Sequence, residues 1–367
     1  MRRLCRALAA LLIPAASLVV ALSAVAGLVL IIGEDPGRAL LTLVRGALGD
    51  PEGIGYTLFY ATDYVFAGLA VALPFRAGLF NIGGEGQAAL GGLGATLVVL
   101  TLGDAPASLI LAAAVVAAAG FGAAWAFVPA VLQARRGSHL VITTIMFNFI
   151  AAALMTWLLV EVLIAPGQSA LETRTFPSAL WLPTLADLTA GTRFDAGEAP
   201  LNPIALFALL AAAIYWVLLH RTPLGYEIRA AGLNALAAQA AGIWVPRIIL
   251  LAVCSGGAFA GLIAINELFG AQHRLADLPA GAGFAGIAVA LLGRGHPVGV
   301  VFAAVLFGAL NQGGAALSFD MPAVTRDVVT VAEGVVIFIC GMLDGVVRGH
   351  IGQSLRTLWT ASARQVA

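Results

Sequence analysis

The sequence predicts an all-α fold, a polytopic transmembrane helical bundle of about ten spans with one short helix on the cytoplasmic face. Three observations carry that expectation. The 367-residue chain is 61% hydrophobic and only 10% charged, against roughly 25% charge in a soluble domain. Residues 11–33, 107–132 and 140–160 run for 23, 26 and 21 positions without a charge, and about 18 such residues suffice to mark a span. The arginines also recur in alternate loops, which orients the bundle.

Taken in chain order, the run at 11–33 follows Arg2, Arg3 and Arg6. It is too long for the ~7–15-residue apolar core of a signal peptide, and no small-residue cleavage site follows. It reads as a retained first span. Residues 34–55 carry four acids and two arginines and read as an outer loop. Spans are then expected at about 56–74, 81–102, 107–132, 140–163, 203–219, 248–266, 280–292, 297–316 and 327–344. The run at 280–292 is short for a ~30 Å core at ~1.5 Å per residue. It gains length from the preceding ADLP, or it is a broken or re-entrant helix.

With ten spans, the N-terminus, Arg135 and Arg136, the 220–247 loop, Arg294 and the tail with Arg348, Arg356 and Arg364 all fall on one side. That is the cytoplasmic side. A count of nine would put the arginine-rich tail outside. The outer loop at 164–202 is long enough to cover a pore mouth, and Trp181 within it reads as an interface anchor.

An ionisable side chain inside a span costs roughly 2.5–3.5 kcal/mol on insertion scales and persists where it meets a cavity or a partner. The candidates are Asp63, Glu85 and Glu333, with the amides Asn148, Asn266, Asn311 and Gln312 and the span-closing Glu267. The stretch GLFNIGGEGQ at 78–87 places Asn81, Glu85 and Gln87 among glycines at a span entrance. Gly83, Gly84 and Gly86 permit close backbone approach or a helix break, which frees N–H groups for a ligand. The competing role is structural, with Glu85 and Gln87 bonding neighbouring helices, and the tight packing implied by the glycines favours it. GGLG at 91–94, SGGAFAG at 255–261 and GAGFAG at 281–286 are small-residue helix faces.

Residues 221–243, RTPLGYEIRAAGLNALAAQAAGI, leave the sixth span at Pro223 and Gly225 and then read as a helix lying on the arginine-rich face. It serves either as an interfacial anchor or as a docking element for a soluble partner. No GxxxxGK[ST] loop, HExxH pair or GxSxG elbow is present, and the five histidines are scattered. Cys5, Cys254 and Cys340 show no metal spacing. No catalytic residue and no metal site is therefore assigned, and enzyme readings have nothing to rest on.

Four stretches in order, GLFNIGGEGQ at 78–87, RGSHLVITTIMFNFIA at 136–151, the 221–243 loop and GFAGIAVALLGRGHPVGV at 283–300, resemble the inner-membrane permeases of bacterial ABC importers for simple sugars and nucleosides. This is the branched-chain amino acid and ribose permease superfamily, and the form here is most similar to its nucleoside-type subgroup. The resemblance covers about 56–345. It implies a permease core at 56–345 after a first helix and variable outer loop at 1–55, with a cytoplasmic tail at 346–367. It implies a second related permease, a periplasmic or lipoprotein receptor and a double-length cytoplasmic ATPase that uses ATP and Mg; this chain itself holds no cofactor and binds no nucleic acid. Gly225, Glu227, Arg229, Ala231 and Gly232 match the coupling helix expected to meet the ATPase. Asn81, Glu85, Gln87, Asn148 and Asn311 are the candidate substrate-pathway residues in the bacterial inner membrane. The alternatives are a simple-sugar importer and an ion-coupled secondary transporter using Asp63, Glu85 and Glu333.

Overall fold

The computed structural model describes Ser23 and residues 26–338, apart from 104, 165–166, 168–169, 190–196, 277–280, 326–327, 332–333 and 336–337. Most of the first expected span, most of the last, Glu333, Cys5, Cys340 and the terminal arginines lie outside the described residues. Regular structure among the described residues is helical throughout. The chain divides into two compact units, Met1–Gly46 with Gly313–Ala367, and Ala47–Gln312.

The first unit holds helical residues 26–32, most of α1 (Pro36–Leu48) and the end of α12 (Pro297–Asp320). Val29, Ala39, Leu317, Met321 and Val324 form its buried apolar cluster. The charges of residues 34–55 predict a loop. Instead α1 occupies much of it, and α2 (Pro51–Arg76) starts before 56. Two Asp-Pro pairs mark these starts. Asp35 accepts from the Gly37 amide at 2.8 Å and Asp50 from the Gly53 amide at 2.6 Å, while Pro36 and Pro51 occupy first-turn positions where a missing N–H is harmless.

The second unit is a bundle with α2 at its centre. The other helices are α3 (Gly84–Thr101), α4 (Ala107–Arg136), α5 (Leu140–Glu161), a short α6 (Leu185–Thr189), α7 (Ile204–Arg221), α8 (Pro223–Leu233), α9 (Ala235–Ala240), α10 (Val245–Gly270), α11 (Ala282–Leu292) and the first part of α12. Helix α10 packs most extensively against α4, α2 and α3. Its small-residue face makes that possible. A Cβ on Gly261 would clash with the Ala118 carbonyl of α4, one on Gly91 would run into the Gly261 backbone, and one on Gly256 would lie 2.6 Å from the Ala70 oxygen of α2. The SGGAFAG and GGLG stretches thus meet backbone to backbone.

Overpacking of this kind costs about 1–3 kcal/mol. Gly261→Val is therefore expected to lower the yield and melting point of monodisperse permease. Gly120→Val on α4, where a Cβ meets nothing within 4 Å, is expected to leave both unchanged. Equal thermal melting of the two variants in detergent would show that the crossing tolerates bulk.

Six described helices are long and apolar enough to cross a membrane: α2, α4, α5, α7, α10 and α12. The polytopic bundle is thus present with six such spans rather than ten. Two of the other expected spans, 81–102 and 280–292, appear as shorter helices. Helix α11 has 11 residues, about 16 Å or half the hydrocarbon thickness. The Leu140–Glu161 helix is largely peripheral, whereas α2 is enclosed along most of its length, which is what allows α2 to carry Asp63.

The 221–243 segment is two helices, not one. Asn234 ends α8 in extended conformation and caps α9 by accepting from the Ala237 amide at 3.0 Å. Asn favours such caps over helix interiors. The loop after α5 is pinned to the segment after α10. Thr173 and Phe176 donate their amides to the Leu275 and His273 carbonyls at 2.9 and 2.7 Å, and Arg274 pairs with Glu172 at 2.9 Å. Trp181, expected as an interface anchor, stacks on His273 with ring centroids 4.1 Å apart.

Candidate functional site

The site starts from a helix that begins late. Residues 79–82 are not helical, and α3 starts at Gly84, so the backbone groups of the preceding turn need other partners. Asn81 and Gln87 close one side as a reciprocal amide pair, with bonds of 3.0 and 3.2 Å, and Asn81 Oδ1 also accepts from the Gly83 amide at 3.0 Å. Helix α5 closes the other side. Asn148 accepts from the Gly86 amide at 3.0 Å and donates to the Ile82 carbonyl at 2.9 Å, while the Thr144 hydroxyl accepts from the Ile82 amide at 3.3 Å. Asn148 therefore does for this stretch what a neighbouring backbone strand would do elsewhere.

Glu85 joins the break to a third element. Its Oε1 accepts from the amides of Gly281 at 2.8 Å and Phe284 at 3.2 Å, and the Gly283 amide also bonds the carboxyl group. Glu85 lies in the first turn of α3 and caps the start of α11. One carboxyl thus faces the positive ends of two helices. A Cβ on Gly283 would lie 2.5 Å from the Glu85 nitrogen, so the two helix starts can meet only because glycine stands at both.

Beside this junction lies a cavity of about 400 Å³, lined by Glu85, Asn148, Phe149, Phe284, Leu171 and Ala276 among others. Leu171 and Ala276 bring the loop after α5 and the post-α10 segment to its wall. Phe149 is 68% exposed and Phe284 is half-exposed.

Of the five expected pathway residues, Glu85 and Asn148 line this cavity. Asn81 and Gln87 are buried and bonded to each other, behind its wall. Asn311 is elsewhere, donating to the Tyr64 hydroxyl at 2.9 Å. Phe149 and Phe284 were not anticipated, since an aromatic residue in an apolar run carries no signal of its own. Asp63 belongs to another cluster. Its Oδ1 accepts from Asn266 at 3.0 Å, Asn266 accepts from Asn202 at 2.9 Å, and Glu267 is buried one residue further along α10.

The expected coupling residues divide by role. Gly225 lets α8 fold back on the end of α7, because a Cβ there would collide with the Leu218 and Leu219 carbonyls. Gly232 abuts the backbone at Arg76 and Gly78, and Ala231 is buried with Ile228. Glu227 and Arg229 are half-buried, and Arg229 Nη1 is enclosed without a hydrogen-bond partner among the described residues. Large apolar side chains are exposed there too: Leu233 and Leu236 are 89% and 80% exposed, with Tyr226 and Trp244 also exposed.

Residues 53–340 match the family described as branched-chain amino acid transport system / permease component. Among curated relatives, the chain is 37% identical over 332 residues to the guanosine ABC transporter permease protein NupP of Bacillus subtilis, covering 89% of this chain and 92% of that protein. It is 35% identical over 315 residues to a glucose ABC transporter permease protein of Haloferax volcanii, covering 85% and 83%. It is 32% identical over 321 residues to the nucleoside ABC transporter permease protein NupB of Lactococcus lactis, covering 85% of each. The match takes in the broken-helix junction, the cavity and the α8–α9 segment, and the chain is a transport permease that belongs to the branched-chain amino acid transport system / permease component family.

Proposed function

We propose that this ABC importer permease carries nucleosides. The observation that favours a nucleoside is the pairing, in one cavity, of polar groups with ring faces. Asn148, beside the capping carboxyl of Glu85, offers polar atoms for ribose hydroxyls, and Phe149 and Phe284 offer surfaces on which a base can stack. Two nucleoside-type relatives support the same reading. A simple sugar is the second reading, favoured by the glucose-type relative. Within the wider machine, a separate double-length ATPase hydrolyses Mg-ATP against α8 and α9, a second related permease completes the pathway, and a periplasmic or lipoprotein receptor delivers substrate. The permease core then occupies 56–345, flanked by 1–55 and a cytoplasmic tail at 346–367. Ten spans in the bacterial inner membrane, with both ends in the cytoplasm, fit the arginine distribution. In this count α3 and the half-length α11 complete spans together with non-helical chain.

The test is uptake by the reconstituted complex with its own receptor. ATP-dependent uptake of radiolabelled guanosine, competed by other nucleosides and not by glucose, is the expected result. Glucose uptake that guanosine fails to compete would establish the sugar reading.

A further inference from the structure

We propose that the groove between α7 and α12 binds an anionic phospholipid, with an acyl chain along the groove and the headgroup phosphate at His220, Arg221 and His296. Two cavities of about 440 and 430 Å³ lie along these helices and share Leu209 and Val301. The second runs from that junction to Trp216 and His296. From Leu209 to Arg221 is twelve residues, about 18 Å of helix. That is close to the ~15 Å depth of one leaflet, half the hydrocarbon core. The second cavity, with the last turn of α7 beyond it, therefore matches the depth of one leaflet measured inward from Arg221.

That end carries one fixed cation, Arg221, beside two imidazoles. The rings of His220 and His296 are 6.3 Å apart, and the Arg221 guanidinium lies 5.1 Å from the ring centre of Trp216, whose side chain lines the groove. No described carboxylate lies within 4 Å of these three residues. Arg76 stands behind them, turned to the Arg294 and Gly295 carbonyls at 3.0 and 2.9 Å. The Tyr215 hydroxyl donates to the Gly295 carbonyl at 2.7 Å, which fixes the 293–296 turn to α7 and so holds both histidines in place. Burial, with His220 and Arg76 nearby, keeps the His296 imidazole below its ordinary pKa; a phosphate there would relieve that repulsion. Basic pockets between membrane helices on the cytoplasmic side bind acidic headgroups on these grounds, and a tryptophan at that depth is a usual interface residue.

A second protein chain is the less suitable occupant. The large exposed side chains of α7 between Leu206 and Val217 are apolar, so the face asks only for hydrocarbon.

The experiment uses the assembled transport complex, incorporated into phosphatidylcholine bilayers containing a minor share of phosphatidylglycerol, then extracted and weighed by native mass spectrometry. Wild-type complex is expected to retain phosphatidylglycerol over phosphatidylcholine. Arg221→Gln is expected to reduce that preference about fivefold, the effect of one basic group at a membrane surface. Val301→Trp, which fills the junction and leaves the charges intact, is expected to reduce it as well. Size-exclusion profiles of both variants establish that they assemble. Unchanged preference in Arg221→Gln overturns the proposal. So does loss in Arg221→Gln alone with displacement by inorganic phosphate, which would mark an anion site without a lipid. Cross-linking of Val301→Cys to the second permease would assign the groove to a protein interface and equally overturn it.

Discussion

Glu85→Ala is expected to cut the amount of assembled permease roughly tenfold or more, while Glu85→Gln keeps most of it. The carboxyl accepts the amides of Gly281 and Phe284 at the start of α11. Alanine removes that acceptor and leaves the part-buried Gly281 amide unpaired, at about 1–3 kcal/mol for such a group. About 1.4 kcal/mol is already a factor of ten in an equilibrium. Glutamine keeps one acceptor oxygen at nearly the same place, although it gives up the negative charge that two helix starts attract. The ordering Glu, then Gln, then Ala should appear in the yield of monodisperse complex, and uptake per assembled complex should change less than yield. If both variants assemble normally and both lose uptake, Glu85 acts on the substrate and its capping bonds are incidental.

Composition made the class of fold legible, and it did so because lipid leaves a chain few options: helices must satisfy their own backbone. The glycine stretches also read correctly, since SGGAFAG and GGLG form the contact of α10 with α4 and α3. Helix α1 was missed because four acids and two arginines in 34–55 looked like a loop, while the Asp-Pro starts were the signal that could have found it. Asn81 and Gln87 enter the pathway reading as polar groups among glycines at a span entrance. Their bonds run to each other, a pairing six residues apart that depends on the break at 79–82. Phe149 and Phe284 reach one cavity only because α11 docks its start against α3. That contact spans about 200 residues of sequence, and no local pattern announces it.

Leu233→Asp combined with Leu236→Asp is expected to abolish coupling to the ATPase without preventing assembly of the permease. In the α8–α9 segment, Gly225, Ala231 and Gly232 are used inward, against the α7 end and the α2–α3 turn. They build the platform and leave little of themselves for a partner. Leu233 and Leu236 flank the Asn234 break and are the most exposed large apolar side chains of the segment. Exposed apolar residues of this size on one short element mark a contact surface, and anchors at such contacts are worth about 2 kcal/mol or more, roughly thirtyfold in affinity. Glu227→Ala and Arg229→Ala, at half-buried positions, should weaken the ATPase response by a smaller factor. The measurement is substrate-stimulated ATP turnover in the reconstituted complex, beside the amount of ATPase that copurifies with permease. An interfacial anchor predicts a different pattern: the aspartates would lower membrane insertion of the permease, and the complexes that do form would turn over ATP normally. Full assembly with undiminished stimulated turnover would remove α8 and α9 from the coupling route.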